Sequence, residues 1–297
     1  MLLNKRIPLT YILGSIKIEI IIISLIGFVA FLVKAPIKDS IPDIPIGIPT
    51  FLGTAISIIL SFKLNQSYGR WWEARKIWGS IVNDSRTLVM QMQSFLAKGN
   101  ESEIRKISFR QIGWCYSLCQ SLKGESGMKE TERFLAPEEL ETISRQSNKP
   151  LAILQLNALH LAELRNNHQM DTRSLIQINT TLVNFSNAMG MAERIKNTVF
   201  PVTYRLFLRF FIYVFIITLS ISLADSQGYF EIPLLLMISC AFFLLEKAAT
   251  VLQDPFNNQP TDTPVDAIAT TIEINIKELL KETDIPKPRQ PMGFYLS

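Results

Sequence analysis

Four apolar stretches, two near each end, dominate the hydrophobic pattern of the chain. Residues 20–33 and 44–62 carry no charged side chain, and the second run has the length of roughly 18 or more residues expected of a membrane-crossing helix. Residues 210–224 and 232–245 are shorter, and taken alone such runs also fit buried core helices or interfacial segments. The short connection between these last two runs is typical of a helical hairpin. With their flanking residues, the four runs predict four transmembrane helices.

The second apolar run differs from an ordinary membrane anchor. Prolines and glycines crowd its first half, and short hydroxyl side chains recur on one helical face at steps of three and four residues, namely Thr50, Thr54, Ser57 and Ser61. Such a stripe allows helices to pack closely or lines water. A mere anchor has no need of it.

The middle of the chain reads as helical. Apolar residues between Trp71 and Val82 recur at three- and four-residue steps, and no alternating strand pattern is present. Helix breakers lie at residues 123–128, 136–137, 149–150 and 166–172, and residues 265–281 form an amphipathic helix. The pattern predicts an all-α membrane protein. Its predicted parts are helices one and two (1–66), a helical domain (67–204), helices three and four (205–253) and a terminal segment with a helix (254–297).

Basic residues predict the orientation, because Lys and Arg favour the cytoplasmic side of short loops. They precede the first run, follow the second and precede the third: Lys5, Arg6, Lys63, Arg70, Arg75, Lys76, Arg194, Lys196, Arg205 and Arg209. The loop between the last two runs has Asp225 and Glu231 and no basic residue. The loop after the first run balances Lys34 and Lys38 against Asp39 and Asp43. Both termini and the middle domain are therefore predicted to be cytoplasmic.

Composition excludes several function classes. Hydrophobic residues make up 48%, and 30 Lys and Arg against 26 Asp and Glu leave a charge of +4, too mild to predict a nucleic-acid partner. Neither GxxxxGK[ST] nor GxGxxG occurs, so no nucleotide is predicted. Three cysteines fit a reducing compartment, and Cys115 and Cys119 are interpreted as packing residues rather than zinc ligands. Two histidines supply little for a metal site, and no catalytic residue stands out.

Two segments carry a family resemblance. Residues 48–79, IPTFLGTAISIILSFKLNQSYGRWWEARKIWG, are followed by VNDSR at 82–86, and QDPF at 253–256 is followed by TPV at 263–265 and a helix. Together these closely resemble the bestrophin family, in particular its bacterial members. The residues that carry the motif are Asn65, Arg70, Trp71, Trp72, Glu73, Arg75, Trp78, Asp84, Arg86, Asp254, Pro255 and Phe256.

The resemblance implies a homopentameric ion channel in the bacterial cytoplasmic (inner) membrane, not an enzyme. It would pass small monovalent ions passively, with the anion chloride slightly favoured over cations. The family's pore neck corresponds to Thr54, Ile58 and Phe62, which a spacing of four keeps on nearly one helix face. An apolar neck can gate by dewetting. Bacterial relatives commonly carry an aliphatic residue at the position of Thr54. Without the resemblance, these residues would be interpreted as packing against a neighbouring helix.

The resemblance also implies a cytoplasmic aperture, which ungapped matching places at Arg173. A ring of five guanidinium groups would favour anions. Asp171 would soften or reverse that preference if it pointed inward instead. A shift of one residue would put Thr172 or Ser174 at the aperture.

The calcium clasp of animal bestrophins is not expected here. Its acidic run corresponds to Asn257-Asn258-Gln259-Pro260 and one Asp262, whereas calcium needs several oxygens together. No cofactor is predicted. One alternative is a non-conducting membrane scaffold or regulatory protein, against which the hydroxyl stripe argues. A membrane-embedded enzyme ranks last, because Lys17, Glu19, Glu246 and Lys247 all lie near the ends of the apolar runs.

Overall fold

The all-α prediction is confirmed for the described part of the chain. The computed structural model describes residues 1–2, 7–37, 44–198, 201–223 and 231–296, without the side chains of Phe31 and residues 33–37. Its α-helices are α1 Leu9–Gly14, α2 Lys17–Ile37, α3 Gly47–Phe95, α4 Glu101–Leu122, α5 Pro137–Ser144, α6 Lys149–Asn166, α7 Thr172–Asn197, α8 Val202–Leu223, α9 Glu231–Leu252 and α10 Val265–Leu279. A 3-10 turn at Thr131–Arg133 precedes α5.

Among the described residues, α3, α8 and α9 are long and apolar enough to cross a membrane. The predicted first span falls in α2, a helix of 21 residues whose last side chains lie outside the description. Four transmembrane helices therefore stay a prediction. The flanking charges Lys5, Arg6, Lys38, Asp39, Asp43 and Asp225 also lie outside the described residues.

Helix α3 is a single element of 49 residues. Pro49 is tolerated because it lies in the first turn, where its missing N–H leaves no helical bond unmade. At about 1.5 Å per residue the helix is roughly 70 Å long, more than twice the hydrocarbon thickness of a bilayer. Most of the second apolar run and the three tryptophans that follow it, Trp71, Trp72 and Trp78, therefore belong to one continuous helix.

The other helix boundaries follow the predicted breakers. Helix α4 ends just before Gly124, whose φ of 80° suits glycine. Pro137 opens α5, and Asn148 caps α6 by accepting a bond of 3.1 Å from the N–H of Leu151. Helix α10 ends two residues earlier than predicted, and Lys281 beyond it has a φ of 58°.

The described residues form two compact units, each with its own apolar core. The first unit comprises described residues within 5–70 and 199–253, and its core includes Ile23, Ile56, Ile212 and Phe243. The second unit comprises described residues within 1–4, 71–198 and 254–297. Its core includes Trp78, Trp114, Phe185 and Ile276.

Buried ionisable groups in the second unit pair with one another. Nε2 of His160 lies 2.6 Å from Oε2 of Glu103, and its Nδ1 lies 3.0 Å from Nη1 of Arg110. Arg110 also pairs with Glu139 at 2.5 Å. Burial and the Arg110 charge lower the pKa of His160, so its neutral ring accepts from Arg110 and donates to Glu103. This arrangement serves packing between α4, α5 and α6.

Candidate functional site

Within the first unit, α3 has a buried face and an open face. Ile56, Leu60 and Lys63 are almost fully buried. Ile58 and Phe62 are 54% and 65% exposed, and Thr54 is exposed one turn before them. The three residues predicted to form the neck therefore share a face that the other described helices leave uncovered. Their role as a neck stays a prediction, since a neighbouring subunit would have to complete it.

Three of the four hydroxyl groups of the stripe bond to the backbone of their own helix. Thr50 donates to the carbonyl oxygen of Ile46 at 2.7 Å, Thr54 to that of Thr50 at 2.9 Å, and Ser57 to that of Gly53 at 2.8 Å. Each hydroxyl proton is used one turn back along the helix. These three hydroxyl groups therefore need no polar partner from another helix.

Gly53 lies on the side of α3 that meets α8. A Cβ atom at this position would lie 3.1 Å from Cε2 of Phe215. Such a distance is shorter than ordinary van der Waals contact, so a larger residue here would require the Phe215 ring to move by a few tenths of an ångström.

Four charged residues meet inside the first unit, a group that the sequence interpretation missed. Lys63 and Glu246 are 0% and 1% exposed, and Arg209 and Glu19 complete the group. The sequence places each of them at an end of an apolar run, where a solvated charge is the ordinary reading. A usable indication was the spacing of Ile56, Leu60 and Lys63, which puts Lys63 on the buried stripe.

The motif residues that follow the predicted neck make structural contacts. Nε of Arg70 donates to the carbonyl oxygen of Gln253 at 2.8 Å. Nε1 of Trp71 donates to the carbonyl oxygen of Thr261 at 3.0 Å, and Trp72 stacks on Trp71 with ring centroids 6.4 Å apart. Asn65 is exposed.

The motif residues further along α3 belong to the second unit and contact its other helices. Trp78 is fully buried, and Arg75 is partly buried. Arg86 donates to Oδ1 of Asn275 on α10 through two nitrogens at 2.9 and 2.6 Å. Asp84 accepts a bond of 3.4 Å from Asn184 on α7, and burial raises its pKa.

Glu73, on the same helix, pairs with Lys76 at 2.6 Å. Both side chains are exposed, so this pair contributes little. The motif residues of the second unit thus position α3 against α7 and α10.

The Asp254-Pro255-Phe256 segment folds into an anchored turn. Oδ1 of Asp254 accepts from the N–H of Phe256 at 3.1 Å, and Oδ2 lies 2.9 Å from Nζ of Lys196. The carbonyl oxygen of Pro255 accepts from the N–H of Thr263 at 3.1 Å, and Phe256 is 1% exposed. These bonds close the loop that would hold calcium in an animal bestrophin.

Asp262 is the single carboxylate of that loop beyond Asp254, and it is 5% exposed. It accepts a bond of 2.9 Å from the N–H of Gln259 and lines a cavity of about 140 Å³ with Asn258 and Phe256. Calcium takes roughly six to eight oxygen ligands, usually several of them carboxylates. Among the described residues, no group of three or more His, Cys, Asp or Glu could hold a metal ion. The absence of a calcium clasp therefore stays a prediction.

Asp262 should make stability depend on pH. Burial raises its pKa from an ordinary 3.8 to about 6, so the folded chain keeps a proton that the unfolded chain has lost between these values. The free energy of unfolding therefore falls as pH rises through this window. We expect Asp262→Asn, which keeps an acceptor oxygen, to raise the melting temperature at pH 7.5 but not at pH 4. An equal shift at both pH values would contradict this assignment.

Arg173 is the second residue of α7 and is exposed. Oδ1 of Asp171 accepts from the N–H groups of Arg173 and Ser174 at 2.8 and 3.1 Å, and Oδ2 accepts from the Ser174 hydroxyl at 2.6 Å. These bonds lower the pKa of Asp171. The Asp171 carboxylate is thus held as the N-cap of α7. The position of Arg173 at the aperture stays a prediction.

Known proteins resemble this chain over most of its length. A family model described as Bacterial/Fungal Bestrophin protein matches residues 6–278. Voltage-dependent anion channel-forming protein YneE of Escherichia coli O157:H7 is 30% identical over 246 residues, which is 83% of this chain and 80% of that protein. The protein of the same name from Salmonella typhi is 31% identical over 242 residues, 82% of this chain and 79% of the relative.

A solved structure also resembles this chain over most of its length. The crystal structure of a bacterial bestrophin homolog from Klebsiella pneumoniae superposes with a TM-score of 0.86 at 25% identity, and covers 91% of this chain and 100% of its own. The family model spans both units and includes the motifs of α3 and of residues 253–265. The chain therefore belongs to the bacterial and fungal bestrophin family.

Proposed function

We propose that this protein is a homopentameric channel that passes small monovalent ions passively across the bacterial inner membrane, with chloride favoured over cations. The open face of α3 carries this proposal. The chain buries Ile56 and Leu60 on one side of the helix and leaves Thr54, Ile58 and Phe62 uncovered on the other. Five copies of this face around one axis would enclose a pore.

In such a ring, the three residues would form three layers. Residues four apart on a helix are separated by about 6 Å along its axis, so the neck would be about 12 Å long between its outer layers. Ile58 and Phe62 would supply two apolar layers, and Thr54 a hydroxyl layer. Apolar constrictions of this kind can gate by losing water, without a charged filter.

Arg173 supports the preference for anions. The guanidinium of Arg173 is charged at any ordinary pH. The nearby carboxylate of Asp171 is held by three hydrogen bonds at the N-terminal end of α7. A ring of such guanidinium groups would attract anions and repel cations at close range. The names of the Escherichia coli and Salmonella relatives, which describe anion channels, point the same way.

We further propose an orientation in the membrane and the absence of a cofactor. Both termini would lie in the cytoplasm with the second unit. We propose no cofactor and no calcium gating, because the loop has two carboxylates, Asp254 and Asp262, whereas calcium usually takes several together.

The reversal potential under a potassium chloride gradient tests the permeant ion. Purified protein in a planar bilayer should reverse near the chloride potential, and Arg173→Ala should move the reversal towards zero. Arg145→Ala is the matched control, because Arg145 is an exposed arginine that directly follows α5 and pairs with Glu141. It should leave the reversal potential unchanged. Reversal near the potassium potential would discard the role of Arg173. Absence of current in a protein of pentameric mass would favour the scaffold alternative.

Phe62→Ala tests the neck. Removing the ring should widen and wet one apolar layer, so we expect a unit conductance several-fold above that of the wild type. Phe210→Ala, which shortens an exposed phenylalanine on α8, should leave single-channel conductance unchanged. Equal conductance in both variants would place Phe62 outside the ion path.

A further inference from the structure

The charged group of the first unit links α3 to three other helices. Nζ of Lys63 on α3 lies 3.0 Å from Oε1 of Glu246 and 3.1 Å from Oγ1 of Thr250, both on α9. Oε2 of Glu246 accepts from Nη2 of Arg209 on α8 at 3.2 Å. The same Nη2 lies 4.0 Å from Oε1 of Glu19 on α2. We call these four charged residues the charged cluster.

The burial of Lys63 is unusual for a lysine. Its side chain is 0% exposed, and that of its partner Glu246 is 1% exposed. Taking such charges out of water is costly, and it is offset only where each charge has a close partner and its hydrogen bonds are made. Both conditions hold for the Lys63–Glu246 pair, because Lys63 has two oxygen partners and Glu246 has two cationic ones. Nε of Arg209, in contrast, has no hydrogen-bond partner among the described residues. The geometry of the Lys63–Glu246 pair fixes both side chains in one arrangement.

Lys63 directly follows the last neck residue. Consecutive side chains leave an α-helix about 100° apart, which puts Lys63 roughly 140° from the mean direction of Thr54, Ile58 and Phe62. Turning Lys63 towards α9 therefore turns the neck residues away from it. The apolar contacts of Ile56 and Leu60 are less directional and would tolerate a small rotation of α3. A buried ion pair with two hydrogen bonds would not.

We propose that Lys63 is a positioning residue for the pore. Its bonds to Glu246 and Thr250 hold the rotation of α3 about its own axis, and thereby set which side chains of α3 face the ion path. Lys63 itself touches no permeating ion. This inference rests on the proposed function for its meaning, but its test does not depend on conduction.

One pair of substitutions separates positioning from charge balance. Lys63→Met alone would leave Glu246 and Glu19 facing only Arg209, a net charge of −1 inside the unit. The double variant Lys63→Met/Glu246→Gln leaves Arg209 and Glu19, which balance. It therefore removes the link between α3 and α9 without stranding a charge. If Lys63 served stability alone, this balanced variant would keep the wild-type neck.

Cysteine accessibility reports the rotation of α3. In a Cys240→Ser background, where Cys115 and Cys119 are buried, single cysteines are placed at Ile58 and at its partly buried neighbour Ile59. A charged methanethiosulfonate reagent is applied to the pentamer in lipid, and the modified fraction is followed by mass. With Lys63 present, we expect Ile58→Cys to react at least about tenfold faster than Ile59→Cys, since thiol reactivity follows exposure.

In the balanced double variant, we expect this rate ratio to fall to within about threefold, because α3 can then turn. Lys247→Met, which removes the adjacent lysine of α9 outside the charged cluster, should keep the full ratio. Thr250→Val, a milder variant that removes one of the two bonds of Lys63, should lower the ratio less and serves if the double variant does not assemble. An unchanged ratio in both variants would overturn the positioning role. Fast modification of Ile58→Cys without wild-type current would instead contradict the channel proposal.

Discussion

Trp114→Ala should lower the free energy of unfolding by about 3–5 kcal/mol, the range found when a fully buried tryptophan or phenylalanine is truncated. Trp114 is 0% exposed in the core of the second unit, and its ring centroid lies 5.1 Å from that of Phe185. Alanine would leave a cavity between α4 and α7 that their rigid backbones cannot close. Denaturant unfolding in detergent, followed by fluorescence and circular dichroism, measures the loss.

Two further variants make the Trp114 result specific. Trp114→Phe keeps an aromatic ring, and Nε1 of Trp114 has no hydrogen-bond partner within the described structure, so this change should cost only about 1–2 kcal/mol. Leu159→Ala, at a leucine that is 58% exposed on α6, should change stability by less than about 0.5 kcal/mol. A loss for Trp114→Ala no larger than that for Leu159→Ala would show that this core is not as packed as described.

Glu273→Ala should be comparably damaging, at about 3–5 kcal/mol, because it strands buried partners. Glu273 on α10 is 1% exposed. Its carboxylate accepts from the hydroxyl of Tyr116 at 2.7 Å and lies 2.9 Å from Nζ of Lys277, which is itself 6% exposed. Removing the carboxylate leaves the buried ammonium group of Lys277 with Asp284 at 3.7 Å, a carboxylate that is itself 99% exposed. The melting temperature and the denaturant midpoint should both fall.

The neighbour Glu278 provides the matched control. It lies on the same helix but is exposed, so Glu278→Ala should change stability by less than about 0.5 kcal/mol. Adding Lys277→Met to Glu273→Ala should restore part of the lost stability, since no charge is then stranded. If the double variant is less stable than Glu273→Ala, packing rather than charge accounts for the effect.

The sequence predicted the helices well because their signals are local. Prolines and glycines end helices through their own backbone preferences, so the boundaries near Gly124, Pro137 and Lys149 could be seen without tertiary information. The open face of α3 followed from periodicity together with the family motif. The role of Asp171 as an N-cap could also have been predicted, because an aspartate directly before a helix is a common N-cap. The sequence interpretation considered Asp171 only as a charge that would point into the aperture, and so missed this role.

The spacing of α3 could place Lys63 on the buried stripe, but the sequence could not name the partners of Lys63, because they are far apart along the chain. Lys63 and Glu246 are separated by 183 positions, and each looks like a solvated charge beside an apolar run. Their pairing depends on how α3, α8 and α9 pack. It also changes the orientation argument, since Lys63 and Arg209 are neutralised by carboxylates within the first unit. Arg70, Arg75 and Lys76 remain as the basic residues after α3's apolar run.

The hydroxyl stripe of α3 has a consequence for the ion that would pass it. Thr50, Thr54 and Ser57 each donate their proton to a carbonyl oxygen of their own helix, so the hydroxyl hydrogen is turned away from the open face. What remains for a solute is the lone pairs of oxygen. At Thr54, on the proposed pore-lining face, an anion would find no hydroxyl hydrogen to replace its water and would keep its hydration shell. A cation would find oxygen ligands there. The hydroxyl layer of the neck would therefore favour cations, whereas an aperture ringed by Arg173 would favour anions.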